Sequence, residues 1–265
     1  MSNIIWINLL FIIYILCIAC FIRKFSKYLN TLIIFGLLIV IGVVYPQRAV
    51  LYLIATYLIS SIPFGLFLCK FCKNIDIRTQ GSGNIGATNV ARVCGFQMAI
   101  PVFILDGLKS FLPVLIAKQL FISDFIPVVL FTAVIGHIFS IWLKGNGGKG
   151  VASTIFGLFA LDYRLGLIVS IAWLIMFKLT KISAVAALSS IFIVSICSLF
   201  IDGLNTYIVF SIMAIIIFWA HRENIKRLLS QKELGFDNGD KQNKQQKNIV
   251  DIINKLLNKF KKKTN

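Results

Sequence analysis

Residues 4–22 run for nineteen positions without a charge, and eight more apolar stretches follow before the chain turns polar. Nineteen helical residues rise about 28 Å at 1.5 Å each, close to the ~30 Å hydrocarbon core of a bilayer. The further stretches are 31–45, 49–69, 97–117, 125–143, 151–161, 165–177, 182–201 and 205–220. They give nine candidate crossings and the expectation of an all-α polytopic membrane protein. The first stretch lacks a basic leader and a small-residue cleavage site, so it reads as a retained anchor. With 58% hydrophobic and 14% charged residues, a soluble domain and a disordered chain are both excluded.

The net charge of +17 would suggest nucleic acid on a soluble protein, but here it sets topology. With the N-terminus outside, the inner connections hold eleven basic residues and the chain after His221 twelve more; the outer ones hold Arg48, Lys118 and Arg164. The chain is therefore expected with its N-terminus outside and its C-terminus cytoplasmic. The shortest segments, 151–161 and 165–177, are separated only by Asp162, Tyr163 and Arg164. Read as one kinked helix, they would strand a charged pair in mid-membrane. Read as two crossings, they place all three of the polar stretches between helices, 76–92, 144–150 and 221–233, on the cytoplasmic face.

The first stretch contains Gly81-Ser82-Gly83-Asn84-Ile85-Gly86-Ala87-Thr88-Asn89, with Arg92 following. Small residues let backbone amides approach an anion, Ser, Thr and Asn add hydrogen bonds, and arginine grips phosphate with paired donors. A plain loop of turn formers is the competing reading. The second follows Gly136-His137 and reads Lys144-Gly145-Asn146-Gly147-Gly148-Lys149-Gly150. It is not a Walker A loop: Gly150 stands where a magnesium-binding Ser or Thr belongs, and Leu143 where the first glycine belongs. What remains is a glycine-rich anion site at a helix N-terminus, or a flexible basic turn. In the third, His221 and Asn224 share one helical face. Asp106 and Lys109, three apart in one membrane segment, can pair or point into a site. Cys17-x-x-Cys20 and Cys69-x-x-Cys72 have zinc-like spacing, but their apolar neighbours argue against a metal. No serine–histidine–acid series, HExxH or H-x4-D arrangement is present.

Taken in order, the three stretches resemble the motifs of the bacterial acyl-phosphate:glycerol-3-phosphate acyltransferases, membrane enzymes of phospholipid synthesis. Ser61-Ile62-Pro63-Phe64-Gly65 with Gly81–Arg92 resembles the first motif. Gly136-His137 with Lys144–Ala152 resembles the second, and His221-Arg222-Glu223-Asn224-Ile225 the third; Leu105-Asp106 with Lys109 also matches. The resemblance spans residues 49–233 and implies a seven-helix core at 49–234. Residues 1–48, with two additional N-terminal membrane helices, and the basic tail 235–265 have no counterpart. Three departures stand out: Ser140 for a usual proline, an inserted Asn146, and Gln231 where a glycine normally precedes Glu233.

The resemblance implies transfer of a fatty acyl group from acyl phosphate to the 1-hydroxyl of glycerol 3-phosphate, without cofactor, metal or nucleic acid. An acyl phosphate is already activated, so no protein nucleophile is needed. Ser82, Arg92, Lys149, His221 and Asn224 are the implied catalytic residues. Gly83, Asn84, Gly86, Thr88, Asn89, His137, Lys144, Gly145, Gly147, Gly148, Gly150 and Glu233 are the implied substrate-binding ones. Within that set, Ser82, Asn84, Thr88, Arg92 and Lys149 would bind phosphate. Amides at Gly145, Gly147, Gly148 and Gly150 would reach the acyl-phosphate head, and His221 and Asn224 would orient glycerol 3-phosphate. The base is His221 or the substrate's own phosphate. A transporter for an organic phosphate is the alternative function. In the tail, apolar residues at 249, 252, 253, 256, 257 and 260 form a helical stripe among lysines, fit for anionic membrane lipid; a disordered tail is the other reading.

Overall fold

The computed structural model of the chain describes residues 47–233. The candidate membrane helices at 4–22 and 31–45 and the basic tail lie outside the described residues. Among the described residues every regular element is helical. The chain runs α1 (Gln47–Ser60), α2 (Phe64–Lys73), α3 (Ala87–Cys94), α4 (Phe96–Leu120), α5 (Ile126–Ile138) and α6 (Val151–Leu161). It continues through α7 (Tyr163–Thr180), α8 (Ser183–Ile201), α9 (Leu204–Ala220) and α10 (Arg222–Leu229).

Pro63, which lacks an N–H, separates α1 from α2, so one long apolar segment crosses as a broken helix. Segments Gln47–Lys73, Phe96–Leu120, Ser123–Leu143, Tyr163–Thr180 and Ser183–Ile201 are each long and apolar enough to span a bilayer. Helices α9 and α10, bent by 59° at His221, make a sixth candidate. With eleven residues α6 rises only about 16 Å, half of what a crossing requires. The expectation of a full helical crossing at 151–161 is corrected accordingly. Helix α6 starts beside the middle of α4, where Ser153 Oγ donates to the Asp106 carbonyl at 2.8 Å. Segment 139–150, a 3-10 turn at Ile141–Leu143 followed by the glycine-rich loop, makes up the remaining depth. Irregular backbone is tolerated at such a level where it lines a polar cavity.

Segments 151–161 and 165–177 do reverse direction. At one end, Lys118 Nζ donates to the carbonyls of Ala160 and Leu161 at 3.2 and 3.0 Å, and Asn205 reaches the Asp124 carbonyl at 3.3 Å. At the other, the Thr88 and Ser183 hydroxyls lie 3.2 Å apart and Lys149 bonds Asn224. Asp162 caps α7 by accepting from Arg164 N at 2.8 Å, which gives the charged pair a role at the turn. The three polar stretches therefore meet at one end of the bundle.

Two apolar clusters hold this arrangement. The larger joins α1 and α4–α9 through Leu53, Val114, Leu130, Leu158, Val169 and Phe210. The smaller packs Ile77, Ile85 and Val90 from the first polar stretch against Cys69 of α2 and Val102 of α4. That stretch is thus a folded loop with a core of its own.

Candidate active site

Asn89 organises the first loop from a buried position. Its Nδ2 donates to the carbonyls of Asn84 at 2.9 Å, Gln80 at 3.0 Å and Ile77 at 3.3 Å, while its Oδ1 accepts from Ser82 N at 2.8 Å. The Asn84 Oδ1 accepts from Gly86 N at 2.9 Å. Gly81 sits at φ +60°, and a Cβ there would lie 2.3 Å from Asn89 Oδ1. The side-chain groups of Asn89 are thus engaged by the loop, at the wall of the main cavity. Beyond the loop, Thr88 and Arg92 lie one turn apart on α3 and line a common cavity with Ser82. Burial lowers the Arg92 pKa, Glu233 opposes that and Arg227 adds to it.

The second loop departs from expectation. Gly145 N donates to Ser140 O at 2.9 Å, Gly147 N to Ile138 O at 2.9 Å and Gly148 N to His137 O at 3.0 Å. These amides tie the loop back to the end of α5, so they are not the donors expected for an acyl phosphate. The glycines are required sterically: a Cβ on Gly147 would lie 2.1 Å from the His137 carbonyl, and one on Gly148 1.9 Å from its ring. Gly150, Val151 and Ala152 line the cavity instead. The first-turn amides of α6 have no acceptor within their helix, and they stand at this cavity wall together with its positive dipole end. Lys144, exposed at φ +52°, lines neither cavity described below. Asn146 is exposed at the loop tip, its N–H on Leu143 O at 3.1 Å, so the insertion is absorbed outside the main cavity.

From the third stretch, Lys149 Nζ donates to Asn224 Oδ1. Asn224 Nδ2 in turn donates to Glu233 Oε1 at 2.7 Å, and Arg227 Nε to Glu233 Oε2 at 2.9 Å. Glu233 thus fixes which face of the Asn224 amide meets Lys149. Burial holds the Lys149 pKa down to about 8, against the attraction of Glu233 and with Arg227 and Arg92 adding repulsion. His221, just past the end of α9, is pushed down to about 4, first by burial and then by Lys149. Its Nδ1 lies 2.8 Å from the Ile217 carbonyl, which can only accept. Nδ1 therefore carries the hydrogen, leaving Nε2 a lone pair. Gln231 takes φ +57°, a conformation glycine adopts freely, which accounts for the usual glycine there.

These groups surround a cavity of about 300 Å³. Its polar end holds Ser82, Thr88, Arg92, Lys149, His221 and Asn224. Its apolar arm runs between Ile100 and Phe103 of α4, Ile155 of α6 and Trp173 of α7, with Ile100 and Phe103 exposed on the lipid-facing surface. A second, more polar cavity of about 210 Å³ shares Ser82, Asn84, Lys149 and Asn224 and adds Gly83, Gly145, Gly147, Gly148, Arg222 and Arg227.

The family model for glycerol-3-phosphate acyltransferase matches residues 50–231. The chain belongs to that family. Glycerol-3-phosphate acyltransferases of Pelagibacter ubique and Erythrobacter litoralis are 41% and 42% identical over 180 and 178 residues. Those alignments cover 68% and 67% of this chain, and 93% and 89% of the relatives. The fold is similar to the crystal structure of PlsY (YgiH), an integral membrane glycerol 3-phosphate acyltransferase. The glycerol 3-phosphate form matches with TM-score 0.68, 34% identity, and coverage of 72% of this chain and 96% of that one. The lysophosphatidic acid form matches with TM-score 0.67 and 33% identity.

Against the family motifs, the cavity also contains residues that sequence reasoning missed. Ser183 lines it and meets Thr88 across 95 positions of sequence, a pairing that no local pattern signals. Trp173 and Phe103 look like ordinary lipid-facing aromatics until the helices bring them together. Ser140, in place of the usual proline, donates to the Ser61 carbonyl at 2.5 Å. His137 lines the cavity with its ring backed onto Gly148.

Proposed function

We propose that this protein transfers a fatty acyl group from an acyl phosphate to the 1-hydroxyl of glycerol 3-phosphate, releasing inorganic phosphate and lysophosphatidic acid. One observation carries the reading: three polar loops converge on a single cavity with a cationic end and an apolar arm open toward lipid. An anionic head and a fatty chain need that combination. Family membership sets aside the transporter alternative.

Arg92, Lys149 and the first turn of α6 hold the two phosphates, and Ser82, Thr88 and Ser183 add hydroxyl donors. Holding two anions together against their repulsion is much of the catalysis, because position replaces a bimolecular encounter. His221 Nε2 accepts a hydrogen bond from the attacking hydroxyl and orients it. At about 4 the imidazole is a weak base, whereas the second ionisation of a phosphate monoester falls near pH 6. With His221 Nδ1 fixed as donor to Ile217 and Nε2 orienting the hydroxyl, the proton is assigned to the substrate's own phosphate. The oxygen adds to the acyl carbon, the tetrahedral oxyanion is stabilised by the α6 amides and Lys149, and the carbon–oxygen bond to phosphate breaks.

The site end of the bundle carries Lys144, Lys178 and Lys181, while the opposite end carries Lys118 and Arg164. That asymmetry supports a cytoplasmic site in the bacterial inner membrane, with the basic tail against anionic lipid. Purified protein given palmitoyl phosphate and labelled glycerol 3-phosphate should yield labelled lysophosphatidic acid without CoA, acyl carrier protein or metal. Product only with palmitoyl-CoA would overturn the donor assignment.

A further inference from the structure

Asp106, Lys109 and His137 form a polar cluster at mid-bundle, with Asp106 and His137 at the wall of the main cavity, and none of the three has a part in the acyl transfer steps above. Their side chains are 2%, 2% and 3% exposed. Lys109 Nζ lies 2.8 Å from Asp106 Oδ1 and donates to the Ile62 carbonyl at 2.9 Å. Asp106 Oδ1 is 3.7 Å from His137 Nδ1, and that nitrogen has no hydrogen-bond partner among the described residues. Charges at this depth are costly, and well-packed apolar side chains often replace a buried pair without loss of stability. Stability alone therefore does not account for the cluster.

What the cluster joins does account for it. Ile62 lies in the break between α1 and α2, from which α2 leads to the first loop. The Lys109 carbonyl accepts from Ser60 Oγ at 2.8 Å, closing the same break from the other side. The Asp106 carbonyl accepts Ser153 Oγ, which fixes the first turn of α6. His137 backs Gly148, the residue before Lys149, and its carbonyl accepts the Gly148 amide. The Lys109 ammonium on Ile62 and the His137 ring against Gly148 are the side-chain ties. The main-chain carbonyls of Asp106, Lys109 and His137 hold the same elements beside them, so all three phosphate-side elements meet at one point.

We propose that Asp106, Lys109 and His137 are positioning residues for acyl transfer, setting the first loop, the α6 N-terminus and Lys149 in register with one another. The proposal rests on reading Lys149 and the α6 terminus as phosphate contacts. A misplacement of about 1 Å in such a site lowers turnover by about 100-fold.

The test uses the full chain in lipid vesicles, with phosphate release giving kcat and both KM values, scaled to the folded fraction from thermal melts. The double variant Asp106→Asn/Lys109→Met is charge-free and near-isosteric. It should melt close to the unaltered protein yet lose about 100-fold in kcat. His137→Ala should lose kcat similarly, while His137→Asn, which keeps a planar polar group beside Asp106 and Gly148, should recover most of it. A merely structural role would reduce the folded fraction and leave its turnover intact. Unaltered kcat in the folded double variant overturns the proposal. If that variant does not fold, the two neutral His137 variants decide: equal kcat for His137→Ala and the unaltered protein overturns it. Absence of product from the unaltered protein would instead refute the acyltransferase reading itself.

Discussion

Replacing Glu233 by glutamine removes one charge from a carboxylate whose side chain is 2% exposed and changes little in shape. Two consequences can be worked from the geometry. Glutamine can accept from Asn224 or from Arg227 but presents an N–H donor to the other, so one charge-assisted bond at 2.7 or 2.9 Å is lost. Such bonds contribute about 1.5–3 kcal/mol. Because Asn224 is then less firmly held against Lys149, the loss passes to phosphate binding up to that amount, at most roughly a hundredfold in kcat/KM at about 1.4 kcal/mol per decade. The second consequence is electrostatic. Burial has already lowered Lys149 to about 8, and Glu233 is the group that opposes this, while Arg92 and Arg227 reinforce it. Without Glu233 the ammonium loses its proton at lower pH. The cationic form grips phosphate, so activity falls as pH rises through the Lys149 value, and in Glu233→Gln the fall should begin at lower pH. The profile of kcat/KM reports the free enzyme, in which substrate phosphates do not yet support the ammonium. Phosphate release measured from pH 6 to 9 supplies it. An unchanged alkaline limb together with an unchanged kcat/KM would refute both the network and the role of Lys149.

Other perturbations address separate parts of the site. His221→Gln keeps a group able to accept the hydroxyl hydrogen bond and should retain far more kcat than His221→Ala; equal, large losses in both would instead make His221 the base. Gly148→Ala would force a Cβ to within 1.9 Å of the His137 ring, so it should abolish activity in whatever protein folds, as read by phosphate release and a thermal melt. Asn146→Ala, which keeps the loop length and its main-chain bonds, should leave kcat/KM within about threefold, as for other changes of an exposed side chain. Removing residues 1–46 should leave lysophosphatidic acid formation in vesicles intact, since the family match begins at residue 50.

The membrane class, the one-sided placement of the polar stretches and the residues of the cationic end were legible because each has a local cause. Apolar runs, lysine asymmetry and loops rich in glycine and asparagine act over a few residues. What stayed hidden depends on where a group's hydrogen bond goes. Gly147 and Gly148 look like phosphate-cradling glycines, yet their amides bond the end of α5, and their smallness serves contact with His137. Asn89 reads as a ligand, and its side chain also makes four loop contacts at the cavity wall. Ser183 was invisible because its partner is 95 residues away.

The short α6 shows why the same glycines still matter to an anion. A full-length helix would place its N-terminal amides at the membrane surface, in contact with water. An eleven-residue helix starting beside Asp106 places them part-way into the bundle, where neighbouring side chains restrict the solvent and a dipole acts at lower dielectric. Segment 139–150, which holds only the single 3-10 turn Ile141–Leu143, must then connect that depth to the surface with little helical hydrogen bonding. The tie-backs from Gly145, Gly147 and Gly148 satisfy that backbone. On this argument the glycines act one step removed from substrate: they allow a helix to begin at depth, and the helix supplies the donors.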